Sequence, residues 1–240
     1  MSPTKKQDQE KSFERFEKRA GITFVDKELL QTAFTHRSYL NETRIGKRTH
    51  NERLEFLGDA VIELIITDHL FRKFPDSHEG DLTAYRAALV NAVMLGGIAE
   101  ELGMNECLLL SRGEAKDTGR ARATILANTF EAVTGALYLD QGYAAAEVFV
   151  VAHVLPKMDE VVTKGLWRDA KSAYQELAQA KYGMTPSYKT VKAEGPDHAK
   201  QFVVEVSVGD VAVAEGEGKS KQEAEQAAAE RALREGGESK

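Results

Sequence analysis

The chain has 240 residues, 42% of them hydrophobic, which is enough for a packed core and too many for wholesale disorder. Its 32 Lys and Arg are outnumbered by 38 Asp and Glu, a formal net charge of -6, so no bulk basic footprint announces a polyanionic partner. The single cysteine, Cys107, excludes a disulfide framework and a cysteine-only zinc site, and suits a reducing compartment.

The first dozen residues are polar and expected to fray. They carry no apolar stretch of the kind a secretory leader needs. No uncharged apolar run reaches the roughly 18 residues of a membrane span. These features predict a soluble, cytoplasmic chain with no membrane partner. From Phe13 to Met158 apolar residues recur at three- and four-residue steps, beginning with Phe13, Phe16 and Ala20, then Leu29, Leu30, Ala33 and Phe34. Further helices are predicted over Leu54–His69, Leu82–Leu102, Ile125–Tyr138 and Ala144–Leu155. Pro75, Gly80, Gly103, Gly113 and Gly142 punctuate them.

The pattern changes after Gly165. Ala170–Lys181 reads as a short helix ended by Gly183 and Pro186. Gln201–Val208 alternates, with Phe202, Val204, Val206 and Val208 on one face. Gly209-Asp210 signals a tight turn, and Val211 resumes an extended run. With a weaker strand over Ser187–Lys192 and an Ala-rich helix over 221–233, the order is α-β-β-β-α. The predicted architecture is an all-α domain over 10–160, a linker over 161–168, and a small α+β domain over 169–236.

The richest segment is NERLEFLGDAVIEL, Asn51 to Leu64. At 100° per residue, Leu54, Leu57, Val61 and Leu64 form a stripe expected to face the core. Glu52, Glu55 and Asp59 fall opposite it, and Glu63 continues their row. Such a row is either an ordinary solvated face or a site for a hard cation. Like charges one turn apart repel, and a divalent ion that takes carboxylate oxygens removes that cost. Phe56 stands beside the acidic row, where a large aromatic reads as an interface residue. Asn128 and Glu131 share a face of a later helix, and Glu79 and Asp81 open another, where Asp81 suits the helix dipole.

NERLEFLGDA resembles the signature of ribonuclease III without a mismatch. AFTHRSYLNE (33–42), EGDLTAYRAALVN (79–91) and ILANTFEA (125–132) are similar to companion segments of that family. GPDHAKQF (195–202) and GEGKSKQEAEQAAAERAL (216–233) resemble a double-stranded-RNA-binding domain. The resemblance covers roughly residues 12–236, in the domain order of bacterial members. It implies a homodimeric endoribonuclease that uses Mg²⁺, with Mn²⁺ as a substitute, and no nucleotide cofactor. It also implies 5′-phosphate and 3′-hydroxyl ends, two-nucleotide 3′ overhangs, and work on ribosomal and other RNA precursors. By the same resemblance, Glu55, Asp59 and Glu131 match the metal-binding carboxylates, with Asp59 and Glu131 central to catalysis. Asn128 stands where the family usually has Asp. Glu52 and Glu79 match acidic positions that handle RNA, and Phe56 matches an aromatic that enters a socket on the partner subunit.

Asn128 leaves two outcomes open, a weaker hold on one metal or toleration through a water-mediated contact; retained activity is the expectation, since the three acids Glu55, Asp59 and Glu131 are intact. A duplex-RNA binder that does not cut and a helical structural dimer remain the rival readings. In the second domain, Ser220 and Glu223 form a capping-box pattern. Lys219 and Lys221 oppose the local helix dipole, which makes a phosphate site the better explanation for them. Lys200 is a candidate phosphate contact. Gln175 and Gln179 match the family's minor-groove side chains, and His198 matches the loop that enters a second minor groove. Arg86 and Asn91 carry only a structural expectation. Lys116, Arg120 and Arg122 read as a mildly basic loop, and Cys107 as a buried small hydrophobe.

Overall fold

The computed structural model describes residues 3–42, 49–116, 118–163, 170–195 and 200–237. The chain divides into two compact units, Met1–Trp167 and Arg168–Lys240. Nine helices are described in the first: α1 (Pro3–Ala20), α2 (Lys27–Ala33), α3 (Arg37–Glu42), α4 (Glu52–Lys73), α5 (Glu79–Leu89), α6 (Ala92–Glu101), α7 (Arg120–Gln141), α8 (Tyr143–His153) and α9 (Met158–Thr163). Among the described residues no single helix is long and apolar enough to cross a membrane.

The core gathers around α4 and α7. Leu54, Val61, Ile62, Ile65, Ile66 and Leu70 of α4 are buried with Leu126, Phe130, Val133 and Leu137 of α7. Aromatic rings pack within it: Phe16 meets Phe34 edge-on at 5.1 Å, and Phe130 stacks on Phe149 at 5.1 Å. Two glycines set the spacing of the central pair. A Cβ on Gly58 would collide with the Glu131 carbonyl and stand 2.9 Å from Gly135 N. One on Gly135 would collide with the Leu54 carbonyl. Backbones this close tolerate no side chain, so glycine here trades about 1 kcal/mol of helix propensity for contact.

The structure departs from the sequence expectations at several points. The N-terminal segment is helical from Pro3, and Gln9 Nε2 donates to Cys107 O at 2.9 Å. The single helix expected over Leu82–Leu102 is two, bent by 44°. Asn91 explains the break: its side chain accepts from Val93 N at 3.1 Å and Met94 N at 3.0 Å, so it caps α6. Leu64 lies 57% exposed, because the buried stripe of α4 turns through Ile62, Ile65 and Ile66 instead. Arg122 is in the first turn of α7, not in a loop, and donates to Glu114 O at 2.9 Å. Val161 is wholly buried in the first core, so packed helix extends into the stretch expected to be linker. Cys107 is buried, and burial pushes its thiol up to about 12.

The second unit runs α10 (Ala170–Tyr182), β1 (Pro186–Glu194), β2 (Gln201–Val208), β3 (Val211–Gly218) and α11 (Lys221–Gly237), the expected α-β-β-β-α order. The antiparallel sheet has the order β1-β2-β3. Val204, Val206 and Val208 are buried as the alternation predicts, and Gly209 turns the chain with φ 61°. Ala224 and Ala228 of α11 lie close on Gly216 and Gly218 of β3, where a Cβ would strike the helix backbone. This explains the alanine-rich face.

Candidate active site

The N-terminus of α4 is fixed before its acids are placed. Asn51 is buried; its backbone N–H donates to Thr35 O at 2.9 Å and its amide to Ala33 O at 3.2 Å. Glu55 and Asp59 then follow one turn apart on α4. The Gly58–Gly135 crossing brings Glu131 and Asn128 of α7 up to them. The result is a crowded carboxylate group, and its electrostatics report the crowding. Burial pushes Glu131 up to about 7, and the charges of Asp59 and Glu55 push it the same way. Glu55 is also raised, first by burial and then by Glu52; the Asn128 amide, hydrogen-bonded to its carboxylate, and Arg37 oppose this.

The structure therefore joins Glu55, Asp59, Glu131 and Asn128. Glu52 lies at the edge of this group, paired with Arg37 at 3.4 Å and facing His50 at 3.7 Å. Glu79 is exposed at the first residue of α5, accepts from Thr83 Oγ1 at 3.5 Å, and is not among the charges that shift Glu131. Phe56 is 82% exposed and lines a groove of about 700 Å³ with Leu29, Leu54, Leu57 and Leu139.

Among the described residues no three His, Cys, Asp or Glu side chains converge into a ready-made metal cage. The donor set nonetheless fits a hard divalent cation in its chemistry. Every candidate ligand is an oxygen, and the repulsion that raises Glu55 and Glu131 is the cost a cation removes. Asn128 suits the same role: its NH₂ serves Glu55 while an amide oxygen is itself a hard donor.

In the second unit Gln175 and Gln179 are exposed one turn apart on α10. Ser220 Oγ accepts from Glu223 N at 3.1 Å, and the Glu223 carboxylate reaches back one residue past Ser220 to accept from Lys219 N at 2.8 Å, a variant of the expected capping box at the start of α11. Lys219 and Lys221 are exposed beside that cap, and Lys200 is half-buried just before β2. Lys171 ties the two helices together through Glu225 at 2.6 Å. His198 and Trp167 lie outside the described residues.

Sequence reasoning passed over Gly58, Gly135, Asn51, Arg37 and Lys171. The mid-helix glycines were the readable signal, since each costs helix stability that only close packing returns.

The combination is that of a helical nuclease domain joined to a duplex-RNA-binding module. Residues 26–158 match the ribonuclease-III-like family and residues 170–235 the double-stranded RNA binding motif. Ribonuclease 3 of Borreliella burgdorferi is 45% identical over 220 residues, covering 92% of this chain and 89% of its own. Ribonuclease 3 of Pelotomaculum thermopropionicum is 45% identical over 215 residues, covering 90% and 89%. The nuclease domain of ribonuclease III from Campylobacter jejuni, described for flexibility in its dimer-forming region, superposes with a TM-score of 0.54 at 38% identity. It covers 60% of this chain and 96% of that one. The chain belongs to the ribonuclease III family, endonucleases of double-stranded RNA.

Proposed function

We propose that the chain is a Mg²⁺-dependent, homodimeric endoribonuclease that cuts both strands of duplex RNA. Its products carry 5′-phosphates, 3′-hydroxyls and two-nucleotide 3′ overhangs. The observation that carries this reading is the Gly58–Gly135 crossing, which sets Glu131 against Glu55 and Asp59. Those three carboxylates, with the amide oxygen of Asn128, are the residues that would hold the ion. Bound there, Mg²⁺ would activate a water, offset phosphate charge and stabilise the departing oxygen. The chain's own task is to hold the ligands together despite their repulsion, and the packed α4–α7 crossing does so.

RNA is held by the second module, with Gln175, Gln179 and the His198 loop toward minor grooves and Lys200, Lys219 and Lys221 toward phosphates. Such contacts read duplex shape more than sequence. Glu52 handles RNA at the edge of the site, and Glu79, at the first residue of α5, is the second acidic position assigned to RNA handling. The exposed Phe56 and its apolar groove support the dimer. The cellular role that follows is processing of ribosomal RNA precursors and other transcripts in the cytoplasm, with no membrane partner or nucleotide cofactor.

A long duplex RNA incubated with the protein and Mg²⁺ tests the reading through product size and end chemistry. Short staggered duplexes are expected, with cleavage abolished and RNA binding kept in Glu131→Gln. A wild-type protein that binds the duplex at saturating Mg²⁺ and leaves it whole would establish the rival, a non-cutting RNA binder whose site is impaired at Asn128.

A further inference from the structure

The short helix α3 fully buries none of its residues, with Ser38, Tyr39 and Leu40 only half-buried, so packing alone holds it weakly. Its surroundings are nonetheless pinned. His36 N–H donates to Leu109 O at 3.1 Å, and Asn51 N–H to Thr35 O at 2.9 Å. Ser38 Oγ accepts from Ser111 N at 3.1 Å and meets His36 Nδ1 at 2.8 Å. These bonds bind the start of α3 to the 109–111 segment and to the residue that precedes α4. The anchoring delivers Arg37 to the head of the acidic row. Its Nη1 stands 3.4 Å from Glu52 Oε1, and its charge reaches Glu55, where it opposes the upward shift.

The ion pair is a poor reason for this construction. Its side chains are 70% and 46% exposed, and such pairs add little to stability. A guanidinium in this place has a second use. RNA lying along the row presents phosphates, which cannot rest on a bare carboxylate. Arginine offers a planar fork of donors that matches phosphate as well as it matches carboxylate.

We infer that Arg37 is an RNA-backbone contact of the active site. It rests on Glu52 in the free protein and exchanges that carboxylate for a phosphate of the strand entering between Glu55, Asp59 and Glu131. Glu52 thereby gains a role in RNA handling that a lone anion lacks: it aims the guanidinium. The exchange swaps one anionic partner for another. His50 Nδ1, 3.7 Å from Glu52, remains beside the carboxylate when Arg37 leaves. The inference rests on the proposed cleavage function.

Steady-state cleavage of a short duplex RNA of defined length, at saturating Mg²⁺ and over a series of KCl concentrations, tests it. The full chain, Arg37→Gln and Arg37→Lys are compared, with thermal melting to confirm equal folding. Arg37→Gln should raise KM roughly tenfold with kcat little changed. The slope of log(kcat/KM) against log[KCl] should flatten by about one. Arg37→Lys keeps the charge and loses the fork, so it should keep the wild-type slope and recover only part of the KM, a split that a purely structural role would not produce. An unchanged slope in Arg37→Gln, or a loss confined to kcat, overturns the inference while cleavage itself stands. No cleavage by the wild type removes the proposed function and this inference with it.

Discussion

Glu131 is the residue at which the cost of the site is most visible. Its carboxyl is raised from 4.5 to about 7, with burial the largest cause. A raised folded pKa means that the folded state holds the proton more tightly than the unfolded one. That contribution is complete below about 4.5, fades as pH rises through 7, and leaves a crowded anion above it. Metal-free Glu131→Gln should therefore melt above wild type at about pH 8, by roughly 1–3 kcal/mol, and match it near pH 5. Differential scanning at the two pH values checks this, and a gain of equal size at both would contradict it. In the proposed site protons and Mg²⁺ would compete for the same oxygens, so apparent Mg²⁺ affinity should fall below about pH 7. Asn128 acts in the opposite sense, since its amide relieves Glu55 without adding charge. Asn128→Asp should lower metal-free stability by about 1 kcal/mol and tighten Mg²⁺ roughly tenfold, because ligand charge tunes hard-cation affinity. A Mg²⁺ titration followed by melting temperature reads both. If Asp at this position left the half-saturating Mg²⁺ unchanged, Asn128 would not belong to the ligand set.

At the scale of helices, the crossing of α4 and α7 does what no single side chain can. Gly58→Ala pushes a methyl group into the Glu131 carbonyl, and Gly135→Ala pushes one into that of Leu54. Each should cost about 1–3 kcal/mol despite alanine's better helix propensity. Cleavage should fall further than stability, because the displaced backbone is the one that carries Glu131. Denaturant midpoints and cleavage rates measured together test this, and a Gly58→Ala protein as stable as wild type would refute the close approach. This crossing was only half readable in sequence. Periodicity placed Glu55 and Asp59 on one face of a helix, because that relation is local. Which partner helix brings the opposing acid depends on backbone contact between residues far apart in the chain, Gly58 with Glu131 and Leu54 with Gly135, and two glycines are its only local trace. The same limit explains Leu64, whose spacing fits the buried stripe although the neighbours lie over Ile62 and Ile65. It also explains the break at Asn91, where an unbroken apolar period hid a capping residue. The second module was more readable: strand alternation, the Gly209 turn and the Ser220–Glu223 cap are all short-range signals.

For the molecule as a whole, the net charge of -6 conceals where the charges stand. Residues 1–167 carry 21 basic and 25 acidic side chains, and residues 168–240 carry 11 and 13, so neither unit is basic overall. Several acids are consumed internally. Glu223 accepts the Lys219 amide and Glu225 pairs with Lys171, while the Lys219 and Lys221 side chains are exposed at the head of α11. In the first unit, a cation held as proposed by Glu55, Asp59 and Glu131 would reverse the charge those carboxylates present to RNA. Binding should accordingly divide into two parts. Lys219→Gln with Lys221→Gln should weaken duplex affinity whether or not Mg²⁺ is present, and flatten its dependence on log[salt] by about two. Glu131→Gln should leave the Mg²⁺-free affinity near wild type and reduce only the gain that Mg²⁺ adds. Fluorescence anisotropy on a labelled duplex separates the two, with Ca²⁺ as a control for general screening of charge. If the lysine changes acted only when Mg²⁺ was present, the two units would not contribute separately, and the local placement of charge would not account for RNA binding by an acidic protein.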